Sequence, residues 1–141
     1  MTTQLIRDTG FVPEDWAHGY TRNPRHIAGE NGAGLILTPD TANLSDLAQR
    51  LPSIGMIRVE FSSFADGRGF TLGRQLRLAG YDGRLRAAGP LVADQYAMAR
   101  RAGFDEVEIP ASLAERQPEA DWLFRADWRD HDFQSRLRSA A

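Results

Sequence analysis

Neither cysteine nor lysine occurs anywhere in this 141-residue chain. The first absence excludes disulfides, thiolate catalysis, cysteine-ligated iron–sulfur clusters and thiol relays within the chain. The second means that all 17 basic residues are arginine, so Schiff-base and lysine-nucleophile chemistry are excluded as well. Histidine is scarce: His18, His26 and His131 stand far apart with no H-x-x-x-H pair, and no metal centre is expected. No apolar run approaches the ~18–20 residues of a membrane span, and "MTTQLIRDTGFVPEDW" lacks the basic and apolar regions of an export signal. A cytoplasmic protein with no membrane contact is expected. A net charge of −2 gives no electrostatic sign of nucleic acid, which is not an expected partner, and leaves room for a local basic face.

What remains is the balance of an ordinary globular domain, 42% hydrophobic and 26% charged, with length for one core. Residues 4–16 set two short apolar runs either side of Asp8-Thr9-Gly10, the signature of a small N-terminal hairpin. Residues 17–32 are rich in turn formers and read as loop. From residue 33 a β-prone run, a turn and a helical segment recur four times. The strands are read at 33–39, 56–61, 83–88 and 105–110, and the helices at 41–51, 70–79 and 91–102, with a further turn or two after Ala111. The order predicts an α/β fold with about four parallel strands, either an open doubly wound sheet or a partial β/α barrel. Two helix exits, "LAGYDGRL" and "RAGFDEVE", repeat a glycine that suits a left-handed cap and an aromatic that packs back on the last turn. Residues 1–117 are read as one domain and 118–141 as a tail. Its Trp122, Phe124, Trp128 and Phe133 suit docking on the core or on a second subunit, or an arm for another protein.

The stretch "FADGRGFTLGRQLR", residues 64–77, follows the second of these strands and leads into a helix. Ligands of parallel sheets bind beyond the carboxyl ends of the strands, where helix N-termini offer free amides. Asp66, Gly67, Arg68 and Gly69 therefore mark a candidate anion or partner site, with Arg68 or Arg74 as the cation. The same residues also read as a plain turn, with Asp66 as the helix N-cap. A dinucleotide fingerprint is not met: the spacing is G-x-G-x-x-x-G, and no acidic residue ends the next strand. A P-loop needs lysine, and no G-x-S-x-G elbow is present. Asp94 and Gln95 open the third helix at the same end of the sheet.

Residues 64–109 resemble the bacterial domain of unknown function 934 family, through F-x-D-G-R-G-[YF], G-x-L-R-A-x-G, D-Q and R-x-G-F-D. Phe64, Asp66, Gly67, Arg68, Gly69, Arg86, Gly89, Asp94, Gln95, Arg101, Gly103, Phe104 and Asp105 occupy motif positions. Ser62-Ser63 and Pro90 depart from the pattern. The resemblance implies an association with sulfite reductase and sulfate assimilation, and members are often labelled probable oxidoreductases. A chain without cysteine or a nucleotide fingerprint fits an accessory role better, docking a sulfite reductase or its electron donor. Asp66, Gly67, Arg68, Gly69, Arg86, Asp94 and Gln95 would then form the working surface. The alternatives are a small-anion or nucleotide-binding enzyme using the Asp66–Gly69 loop, and a structural homodimer. No cofactor is expected, although a nicotinamide or flavin nucleotide bound in an unusual way would suit the oxidoreductase label.

Overall fold

Along three of the strands, apolar and charged residues alternate: Ile57 and Val59 against Arg58 and Glu60, Leu85 and Ala87 against Arg84 and Arg86, Val107 and Ile109 against Glu106 and Glu108. A strand of this kind presents one apolar and one charged face. The computed structural model, which describes residues 2–27 and 32–128, builds a seven-stranded sheet from that alternation. Its strands are β1 (Thr3–Arg7), β2 (Gly10–Val12), β3 (Tyr20–Thr21), β4 (Gly34–Leu37), β5 (Met56–Glu60), β6 (Arg84–Ala88) and β7 (Glu106–Pro110). They lie in the order β2-β1-β7-β6-β5-β4-β3.

From β3 to β7 every pairing is parallel and spatial order follows chain order. A doubly wound sheet reverses direction once, and this one does not. The winding is that of a partial β/α barrel, with five parallel strands rather than four. The N-terminal hairpin β1–β2 forms as expected and adds antiparallel to β7. The expected loop at 17–32 contains β3, which its two residues were too few to announce.

Helices α1 (Leu44–Leu47), α2 (Arg68–Leu78), α3 (Tyr96–Ala102), α4 (Ala111–Arg116) and α5 (Glu119–Phe124) complete the fold. Leu72 and Leu76 of α2, Tyr96 and Ala99 of α3 and Trp122 of α5 share one core with Leu35, Ile57, Leu85 and Val107 of the sheet. Of the helix expected over 41–51, α1 keeps one turn; Pro52, with no amide for the Ala48 carbonyl, bars continuation past Leu51, and a 3-10 turn runs over Leu51–Ser53.

Both repeated helix exits end as their sequences predict. Gly80 and Gly103 have φ of +102° and +111°. The following amides reach back, Tyr81 to Leu76 and Phe104 to Ala99, at 3.0 Å each. Arg77 then ties the two exits together, donating to the carbonyls of Tyr81, Gly83 and Gly103 and to Asp105.

Trp122 is buried against Tyr96, the rings edge-on at 6.2 Å, and its indole nitrogen donates to the Gln117 carbonyl at 3.0 Å. The core-docking alternative therefore holds for this tail aromatic, whereas Phe124 is exposed. Trp128 packs on the Arg100 guanidinium at 4.8 Å. Phe133 and His131 lie outside the described residues.

Candidate functional site

The glycines of residues 64–77 turn out to serve packing more than binding. A Cβ at Gly69 would fall inside the Phe61 ring, and one at Gly73 inside the Phe104 ring, so these two let α2 lie close on the sheet. Gly67 is different: its backbone is ordinary helical, φ −65°, and a side chain there would meet nothing. The turn is open at this position. Gly67, not Asp66, is the N-cap of α2. The Asp66 carboxylate instead accepts from Ser62 Oγ at 3.0 Å and from Arg68 Nε at 2.9 Å. The hydrogen bonds from Arg68, then that from Ser62, hold the Asp66 carboxyl below its usual range.

Arg68 also reaches across to Asp40, Nη1 to Oδ1 2.6 Å, so its guanidinium is shared between two carboxylates. Beside this pair a cavity of about 390 Å³ opens at the carboxyl ends of β4, β5 and β6. Thr38, Asp40, Arg58, Glu60, Ser62 and Asp66 supply its polar lining. The cavity stands where a sheet of this winding gathers its strand-end loops. Every one of its charged groups already has a partner of opposite sign: Arg58 is bound by Glu60 and Glu108, and Glu60 also by Arg22.

Gln95 is joined to this loop. Its amide nitrogen donates to the Phe64 carbonyl at 2.5 Å, while its oxygen accepts from the Val92 amide at 3.1 Å. Asp94 points the other way and pairs with Arg125 at 2.9 Å, beside a cleft of about 310 Å³ whose wall includes Phe124. Phe64 and Phe124 thus flank the 92–95 turn, 60% and 72% exposed respectively.

Arg86 does not belong to this group. It stands on the charged face of the sheet, wholly buried, bound by Glu106 at 2.5 Å, Glu108 at 2.8 Å and Glu14 at 2.5 Å. The reason is register: Arg58 of β5 lies next to Arg86 of β6, and Arg86 next to Glu106 of β7. Around Arg86 a continuous network runs from Arg22 and Glu60 through Arg58, Glu108 and Glu106 to Arg84, Arg7 and Asp15. With Glu14 included, five arginines meet five carboxylates. The spacing "RVE", "RLR", "EVE" was the signal for it, and only Arg86 was singled out.

No curated protein and no solved structure matches this chain. A family model does, over residues 34–138, which takes in β4 to β7, all five helices and every residue of the loop group. The chain belongs to that family, the bacterial proteins of unknown function called DUF934.

Proposed function

We propose that this protein is an accessory of sulfite reduction that docks a sulfite reductase, or the protein supplying its electrons, through the end of the molecule where the parallel strands finish. The exposed pair Phe64 and Phe124, set either side of the 92–95 turn, is the observation that carries the docking. Exposed aromatics within a polar rim are the composition of an interface hot spot. Asp40, Arg68, Asp94 and Arg125 supply that rim. Exposed ion pairs are worth about 0–1 kcal/mol each, so a partner exchanges them at little cost. Sulfite reduction is the context that the family resemblance implies.

The electrostatics favour binding over proton transfer. The Asp66 and Glu60 carboxyls at the cavity are held below their usual range, and burial pushes the Tyr20, Tyr81 and Tyr96 phenols up. Such groups do not change charge near neutral pH, where a general acid or base works.

The test is binding of the full chain to purified sulfite reductase holoenzyme and to its electron donor, followed by surface plasmon resonance. Saturable binding is expected to one of them, weakened about tenfold or more by Phe64→Ser with Phe124→Ser and less by Arg68→Ala. No binding to either partner would end the proposal. The cavity of about 390 Å³ favours a second reading, a small-anion or nucleotide-binding enzyme. Calorimetric binding of sulfate or a nucleotide that is lost in Arg68→Ala would select it.

A further inference from the structure

The charged face is roofed by one layer of chain, residues 13–19, and among the described residues no backbone hydrogen bond ties 13–18 to a strand. Side chains hold it down. Glu14 accepts from both Nη atoms of Arg86, at 2.5 and 2.9 Å. Asp15 accepts from Arg7 at 3.0 Å and from Arg84 at 2.5 Å. Glu14 and Asp15 are themselves about half exposed, at 46% and 50%, while Arg86 beneath them is closed off from solvent. Releasing these two carboxylates to water costs little; leaving the buried Arg86 with one of its three carboxylates unreplaced costs more.

Charge counting says what could replace them. With the strap in place the face is neutral; without Glu14 and Asp15, five arginines meet only Glu60, Glu106 and Glu108. The uncovered face lacks two negative charges. Beside it the Tyr20 hydroxyl is buried with no hydrogen-bond partner among the described residues, in the field of Arg86, Glu14, Glu108 and Arg58. A buried donor left unpaired calls for an acceptor. From the forked arginine, the two-charge deficit and the orphaned hydroxyl we infer that the strap covers an oxyanion site. A tetrahedral dianion, sulfate or hydrogen phosphate, displaces Glu14 and Asp15 from Arg86, Arg84 and Arg7 and accepts from Tyr20. The charged network meets the cavity beside Arg68 at Arg58 and Glu60, but Arg86, Arg84, Arg7 and Tyr20, which would hold the dianion, are not among the residues lining that cavity.

The test measures sulfate and hydrogen phosphate binding by calorimetry, against chloride at matched ionic strength. The full chain carrying Glu14→Gln and Asp15→Asn is expected to bind both dianions saturably, about tenfold tighter than the unaltered chain. Tyr20→Phe on that background weakens binding several-fold, whereas Arg68→Ala leaves it unchanged. Absence of saturable binding in the folded double variant, or binding indifferent to Tyr20→Phe, would overturn the site. If the double variant does not fold, hydrogen exchange of the unaltered chain decides. Sulfate at high concentration is expected to speed exchange at residues 14–18 relative to chloride, and unchanged exchange there refutes the inference.

Discussion

The two faces of the sheet are held by opposite means. On one, Leu35, Ile57, Val59, Leu85, Val107 and Ile109 disappear under helices α2, α3 and α5, and the stabilisation is removal of apolar surface from water. On the other, five arginines and five carboxylates are locked by register under a strap of chain. The first tolerates apolar side chains of about the right volume. The second is a matter of matching, because a buried charge whose partner is removed is left with its full desolvation penalty. A strand that alternates apolar and charged residues serves both at once, and only a sheet with helices on one face permits it.

Three experiments would break or sharpen that contrast. The largest effect is expected from Arg86→Met, which leaves Glu106 and Glu108 buried with one arginine fewer. A loss of about 3–5 kcal/mol by urea denaturation is expected. Restoring part of it by adding Glu108→Gln, which leaves Arg58 paired with Glu60 and the remaining charges balanced, would confirm that unpaired charge, rather than lost packing, is the cause. On the helix side, Gly73→Ala drives a methyl group into the Phe104 ring and should cost about 1–3 kcal/mol. A neutral outcome would mean that α2 shifts away from the sheet freely.

The smallest effect, within the range of mild acid, is on pH. Hydrogen bonds from Arg86 hold Glu14 below the ordinary carboxylate range, and those from Arg84 do the same for Asp15. For Glu108 and Glu60 burial opposes ionisation, yet the arginines outweigh it and both are lowered. A folded pKa below the unfolded value contributes stability that is complete above about pH 4–5 and is lost as pH falls through the folded values. Melting temperature should therefore change little from pH 7 to pH 5 and drop below pH 4. An Arg86→Met chain should lose the part of that acid sensitivity that comes from Glu14 and some of that from Glu108.

Local features were legible in the sequence and long-range ones were not. The glycine-ended helices at Gly80 and Gly103, the N-terminal hairpin and the parallel strands follow from residues within a few positions of one another. The winding direction was left open between two architectures, although the charged alternation on β5, β6 and β7 already spoke for a sheet with one polar face. The partners of Arg86 were out of reach: Glu14 lies 72 positions away and Glu106 lies 20 positions on, and only the register of three strands brings them together. In the loop, the residue types pointed to an anion site, but Asp40 from the β4 end supplies Arg68 with an internal counter-ion. The roles of Gly69 and Gly73 depended on where Phe61 and Phe104 would stand.

The pairing of β1 with β7 has a consequence for the order of assembly. Strands β3 to β7 meet as neighbours along the chain, whereas β1 closes onto β7 across about a hundred residues; Arg7 and Glu106 are 99 apart. Loop closure of that span must precede any reward from it. The earliest of the described strands along the chain is thus among the last to find its place. Arg7 joins the charged network only with that closure, so the sheet's charged side is completed by its most distant contact along the chain.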